Sequence, residues 1–366
     1  MYKSDSLPAG EFQIIPLTQP HAIDTIIHLP ETTGEEIIDT IIPQEEIELP
    51  RSVIPWFRRD QLFDPFATQP LFVDTTLTGF QQYDFGINGN VFFAHKGNPG
   101  HANRSLIFEP DFSTGINFGL DQLYRNYLLS YEDIRFYRPR HVFTELFFVT
   151  GADREQLFYA KHAQKLSEAF NMSFKYRIIN SPGTFSRLGA RNANFYFTTD
   201  YFSKNERYQA LATFTVNRIF NHESGGLKNP AGFAQDQLRD SIFLENAQSR
   251  YRDISINLVQ FYRTGINISE RPDRPSRFIN LGRLSHSFTY QRSSVVFEDQ
   301  NAPYRFFDFV SPNPLSTFDS TVIHTIKNRF SYSNAPLQGE ARTFPFNLTV
   351  FFQHNHYKIT EPFHPE

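Results

Sequence analysis

Met172-Ser173-Phe174-Lys175-Tyr176-Arg177-Ile178 alternates between apolar and polar side chains, one residue at a time. A period of two puts Met172, Phe174, Tyr176 and Ile178 on one face of an extended chain and Ser173, Lys175 and Arg177 on the other, the signature of a half-buried strand. The pattern recurs downstream. Ala193, Phe195, Phe197, Thr199 and Tyr201 share a face, and Tyr208, Ala210, Ala212, Phe214 and Val216 stand opposite Arg207, Gln209, Thr213, Thr215 and Asn217. The polar run Ser203-Lys204-Asn205-Glu206 between these two segments predicts a hairpin turn. Further apolar stripes follow at Ile254, Ile256, Leu258 and Tyr262, at Leu284, Phe288 and Tyr290, and at Val322, Ile326, Phe330 and Tyr332. The last is Phe344, Phe346, Leu348, Val350 and Phe352.

These segments run to about nine to eleven residues, the length a tilted strand needs to cross a bilayer. Strands of water-soluble proteins are about half as long. The connections differ in length: Lys204 to Glu206 is short, whereas His222 to Gln248 and Glu270 to Arg277 are long and polar. Short turns on one side and long loops on the other are the habit of outer-membrane barrels. Aromatic pairs near strand ends, Tyr201 with Phe202, Phe261 with Tyr262 and Phe351 with Phe352, would supply interfacial girdles. The pattern therefore predicts an all-β fold, an antiparallel transmembrane β-barrel of outer-membrane type. The alternative is a large soluble β-protein with aromatic cross-strand pairs.

Composition agrees with strands and removes several classes of function. The 366 residues include 41 Phe and 17 Tyr but 2 Met, 1 Trp and no Cys. Aromatic residues favour strands over helices. Without cysteine there are no disulfides, thiolate metal sites or Cys nucleophiles. A net charge of −4 and a pI near 6.3 give no basic footprint and argue against nucleic acid as a partner. No stretch offers the ~18 to 20 apolar residues of a membrane-spanning helix. The mean hydropathy of −0.44 resembles that of a soluble protein, but a barrel averages an apolar and a polar face and gives the same value. Met1 to Gly10 lacks the basic and apolar regions of a signal peptide.

Residues 1–70 read as a separate, acidic, Pro-interrupted extension, with residues 71–366 as the barrel region. Ile23-Asp24-Thr25-Ile26-Ile27 recurs as Ile38-Asp39-Thr40-Ile41-Ile42, and Pro30 and Pro43 break each copy off. Such pieces form an arm that has no compact core of its own. It would serve as a periplasmic arm, as a plug in the lumen, or as a strand added to the edge of another envelope protein.

Specific blocks resemble the putative porin family of Bacteroidota outer membranes. They are Asp74-Thr75-Thr76-Leu77-Thr78-Gly79-Phe80-Gln81-Gln82-Tyr83, then Tyr127-Leu128-Leu129 leading into Asp133-Ile134-Arg135-Phe136-Tyr137, then Thr144-Glu145-Leu146. Glu155-Gln156, His162-Ala163-Gln164 and the run Phe174 to Gly183 continue the series, as do Arg207-Tyr208 and Asn221-His222-Glu223-Ser224-Gly225-Gly226. The resemblance is densest over residues 71–230 and looser to the end. It implies a bacterial outer-membrane protein, embedded in outer-membrane lipid, whose lumen passes small hydrophilic solutes by diffusion. Members of the family are exported by a signal peptide, are longer, and end on a strand. The resemblance therefore implies a barrel that is incomplete in this chain and lacks its C-terminal strands, since open edges in lipid are untenable.

No motif of catalysis accompanies these blocks: there is no G-x-S-x-G elbow, P-loop, Rossmann glycine pattern or H-E-x-x-H. His354 and His356 share a strand face, but a metal site needs a third ligand, and polar residues on a lumen face or near a loop explain the pair. His162 and Glu145 read as polar lining residues. The expectation is a non-enzymatic protein with no cofactor. The candidate functional residues are the cations on the polar strand faces, Lys175, Arg177, Arg207, Arg263, Lys327 and Arg329. In a barrel they line the lumen, where basic rings favour anions. Two other readings stand beside the open pore: a non-conducting barrel serving structure or assembly, and a soluble β-rich binding protein.

Overall fold

The computed structural model describes residues 54–63, 71–75, 87–88, 91–95, 97–108, 115–183, 185, 187–205, 207–228, 242–268, 277–300, 317–335 and 344–361. The Ile-Asp-Thr-Ile-Ile repeat and the Thr76 to Tyr83 block lie outside the described residues.

Nine long strands form one antiparallel sheet: β7 (Phe143–Thr150), β8 (Gln156–Ser167), β9 (Phe170–Ser181), β10 (Ala190–Phe202), β11 (Tyr208–His222), β12 (Gln248–Ile268), β13 (Arg277–Asp299), β14 (Thr317–Ser333) and β15 (Thr349–Thr360). Six short strands precede them: β1 (Pro55–Arg58), β2 (Leu71–Phe72), β3 (Ile87–Asn88), β4 (Val91–His95), β5 (Asn103–Ser105) and β6 (Arg135–Tyr137). Each long strand pairs with its neighbours in sequence, so the sheet is a meander in the order β7 to β15. Among the described residues it does not close, because β7 and β15 are both edges. There is no α-helix among the described residues, and no helix is long and apolar enough to cross a membrane.

The predicted hairpin is present. Thirteen register pairs, from Ala190↔Asn221 to Phe202↔Gln209, join β10 to β11 around the turn after Phe202. The strands exceed the predicted length: β12 spans 21 residues and β13 spans 23. A bulge between Thr264 and Gly265 bends this pair, opposite Gly282. Glycine is required there, since φ is +140° and a Cβ would meet the Tyr332 ring at 2.7 Å. Two expectations need correction. The two connections read as long lie at opposite ends of the wall, because one joins β11 to β12 and the other joins β12 to β13. The paired aromatics also divide between the faces: Tyr262 is exposed while Phe261 packs inward on Leu211 and Val259. Adjacent residues of a strand point oppositely, so only one of each pair can serve a girdle.

The polar face is the buried one. On β10, Asn192, Asn194, Thr198 and Asp200 are each at most 2 % exposed. On β11, Thr213, Thr215 and Asn217 are buried, while Phe214, between two of them, is 37 % exposed. The same holds for Asp253, Ser255 and Asn257 on β12 against the exposed Ile256. The face carrying Ser173 is called inward below, and that carrying Phe174 outward.

Candidate functional site

The inward face is covered by the protein itself, by an inner segment whose described parts are residues 54–63, 97–108 and 115–141. Strand β1 pairs with β2 and β6 into a small sheet, and its aromatic residues anchor it to the wall. Phe57 and Phe136 stack with centroids 5.5 Å apart and join Leu211, Val259 and Phe261 in one cluster. Ile54, Trp56 and Tyr137 pack on Ala163. Tyr124 and Tyr127, around a single 3-10 turn, join Leu157, Ile179, Ile219 and Tyr251. Apolar contacts are thus islands in a polar field, the reverse of an ordinary core.

Hydrogen bonds complete the seal. Asn217 acts as a substitute peptide: its Oδ1 accepts from the Leu129 N–H at 2.9 Å and its Nδ2 donates to the Leu129 carbonyl at 3.1 Å. Oδ1 also accepts from Asn194 at 2.8 Å, and Nδ2 approaches Asp253 Oδ2 at 3.3 Å. The other carboxylate oxygen of Asp253 accepts from Gln291 at 2.7 Å and Ser293 at 2.8 Å. Asn192 donates to the Gly100 carbonyl at 3.1 Å, and Arg177 donates to the Tyr127 carbonyl. At the short-turn end, Arg138 pairs with the buried Asp200 at 2.7 Å while lying over the rings of Phe57 and Phe202. Burial pushes the phenols of Tyr124, Tyr127 and Tyr131 above their ordinary range, so they dock as neutral groups.

Five of the six predicted lumen cations share strand parity with the buried polar residues. Lys175 lies over the Tyr159 ring at 4.5 Å and Arg177 bridges to Asn194. Lys327 stands opposite Thr289 and Arg329 opposite Ser287, both buried, with Arg329 4.5 Å from the Phe351 ring. Arg263 helps to line a cavity of about 650 Å³ together with Arg138, Arg140, Lys165, Glu168 and Lys204. Arg207 lies just before β11, where it donates to Asn267 at 3.0 Å. Glu145 is inward, held by Lys161 at 2.6 Å and by Tyr159.

The histidines lie elsewhere than a lumen reading implies. His354 stands opposite Asn328 and His356 opposite Ile326, so both are outward and exposed. His162 is also outward, bonded to Thr144 at 2.9 Å. Among the described residues no three His, Cys, Asp or Glu side chains group as metal ligands. Sequence reasoning missed Asn217, Asp200 and Arg138. The signal was available for the first two: Asn and Asp are poor strand formers, so their place on the polar stripes of β10 and β11 marks a need for side-chain hydrogen bonds.

A long antiparallel meander with an apolar outer face, a polar inner face and an inner segment docked on the latter defines the class of outer-membrane-type barrel walls. Within that class, residues 59–364 match the model of the family described as putative porin, and the chain belongs to that family. No curated protein and no solved structure matches it.

Proposed function

We propose that this chain forms the wall of a porin-like channel in a bacterial outer membrane, through which small hydrophilic solutes diffuse passively, with no covalent chemistry. The inverted alternation carries this reading. Residues such as Phe214, Ile256, Tyr262, Phe330 and Phe352 stay exposed while Asn192, Thr215 and Asn257 are sealed. In water that arrangement forfeits the hydrophobic effect on one face, whereas in lipid it is the stable one.

The inner segment covers the inward face unevenly, and the less covered side is the proposed route. Buried polar residues are densest on β10, β11 and β12, whereas Gln353, Asn355 and Tyr357 on β15 are half-buried. On the less covered side, Lys327 and Arg329 are the only inward charges of β14 between Ile323 and Ser333, and β15 has none. This favours anions. The seal over β10 to β12 also supports a second reading, a barrel closed by its inner segment that serves structure or assembly. Of residues 1–70, those before the docked residues 54–63 are proposed as its contact with other envelope proteins.

Single-channel recording in planar bilayers separates the readings. Stepwise, long-lived conductance with a reversal potential on the anion side is expected. Insertion without current would leave the closed barrel, and a chain that stays folded in buffer without detergent would remove the membrane reading.

A further inference from the structure

The outward face sorts its charges by sign and by height. Among the described side chains of β7 to β15, outward positions carry six basic residues, Arg191, Arg218, Arg250, Arg252, Arg292 and Lys358, against one carboxylate, Glu298. Glu298 is taken by Arg250. The other five have no carboxylate partner among the described residues.

Register gathers them into a belt. Arg218 stands opposite Arg252, and Arg292 stands opposite His324, which stands opposite Lys358. All five lie toward the end of the wall that bears the two longest connections between its strands, residues 223–247 and 300–316. That end faces away from the cell in barrels of this class. The opposite end carries tyrosines instead: Tyr208 is paired with Tyr262, Tyr262 with Leu284 and Leu284 with Tyr332.

The spacing fits a bilayer. Tyr208 and Arg218 are ten residues apart (218 − 208), as are Tyr262 and Arg252 (262 − 252). At about 3.3 Å per residue and a tilt near 40°, that is roughly 25 Å along the membrane normal, the height of the apolar band of such barrels. The tyrosines therefore mark one interface and the cations the other. A directly opposed arginine pair is destabilising unless an anion sits between its members. A membrane with the same lipids in both leaflets gives no reason to place every unpaired outward cation at one end.

We infer that this belt docks phosphate-bearing headgroups of the membrane leaflet at the long-loop end. The inference rests on the membrane-wall reading above. Guanidinium groups held in a row on a rigid sheet match phosphate oxygens in geometry as well as charge.

The test reconstitutes the purified chain into phosphatidylcholine nanodiscs doped with diphosphoryl lipid A and measures the lipid retained per protein by native mass spectrometry. Lipid A is expected to be enriched over its share of the disc. The quadruple change Arg218→Gln, Arg252→Gln, Arg292→Gln and Lys358→Gln is expected to lower retention about tenfold or more, since it removes four cations that attract an anionic surface together. The inward change Lys327→Gln should leave retention as it was. Should the quadruple variant fail to fold, the single variants Arg218→Gln and Arg292→Gln must each show a graded loss.

Equal retention of lipid A and phosphatidylcholine, or an unchanged quadruple variant, overturns the inference. So does displacement of the lipid by an equal concentration of inorganic phosphate, which would mark a site for free anions. A chain that enters no bilayer at all overturns the membrane reading instead, and insertion into pure phosphatidylcholine tells the two failures apart.

Discussion

Ile256 and Asn257 are chain neighbours on β12, yet Ile256 is 46 % exposed and Asn257 is 1 % exposed with its amide bonded to Thr289 at 2.7 Å. In a soluble sheet the order would be reversed, with the isoleucine inside. The two faces therefore answer to different solvents. On the proposed membrane reading the outward one is apolar because lipid offers no hydrogen bonds, and the inward one is polar because it faces water or the protein's own backbone. On the inward face, aromatic anchors and side-chain amides together hold the inner segment, and each can be removed separately.

The largest expected effect comes from the aromatic anchors. Phe136 is 1 % exposed and stacked on Phe57, so Phe136→Ala should cost about 3 to 5 kcal/mol of the docked state. Urea unfolding in detergent checks the cost, and limited proteolysis of residues 97–141 checks whether the segment has left the wall. Conductance is expected to rise in the same variant if the segment constricts the lumen. Unchanged proteolysis would mean that the anchor is not what holds the segment.

Next is the outward face. Ile256 lies between the Tyr262 level and the Arg252 level, so Ile256→Arg should cost about 2 to 4 kcal/mol in refolding titrations with vesicles. On a soluble surface the same change at an exposed position stays within about 0.5 kcal/mol. A near-zero cost in vesicles would end the comparison between the faces, because it would show that Ile256 does not meet lipid.

Asn217→Ala comes third. It removes the paired bonds to the Leu129 backbone and the contacts to Asn194 and Asp253, leaving buried groups without partners, which costs about 2 kcal/mol. Asn217→Asp retains the bond from the Leu129 N–H but turns a carboxylate oxygen toward the Leu129 carbonyl and Asp253, so near neutral pH it should be at least as destabilising as Asn217→Ala. Thermal unfolding of both variants orders them.

How far the two faces were legible follows from the same residues. The alternation at Met172 to Ile178, Ala193 to Tyr201, Tyr208 to Val216 and Val322 to Tyr332 made the strands, the hairpin and the parity of Lys175, Arg177, Lys327 and Arg329 legible, because a period of two fixes the faces regardless of what covers them. Which face is buried does not follow from parity. That depends on the inner segment, whose strands β1 and β6 span four and three residues and whose bonds to the wall, such as Leu129 to Asn217, cross 88 residues of sequence. Short pieces held by distant side chains leave no periodic signal. The outward belt was hidden for a related reason: Arg191, Arg218, Arg252, Arg292 and Lys358 lie on five different strands, and only the register brings them to one end.

The smallest expected effect is a pH dependence confined to the inner segment. Tyr124, Tyr127 and Tyr131 have phenols whose ionisation is pushed above the usual value of 10 by burial. An unfolded or undocked chain ionises them near their ordinary value, and the docked one holds them neutral. Docking is thus fully supported below pH 10, and that support is lost as the pH rises from there through the raised values of the docked phenols, because the undocked form releases protons that the docked form keeps. The protease accessibility of residues 97–141, followed from pH 8 upward, should stay flat to about pH 10 and then climb, while the strand signal of the wall in circular dichroism holds. Tyr131→Phe should move that rise to higher pH, since it removes one of the groups whose ionisation drives release. A rise already complete below pH 10 would place the Tyr124 and Tyr127 rings in water rather than against Leu157, Ile179 and Ile219.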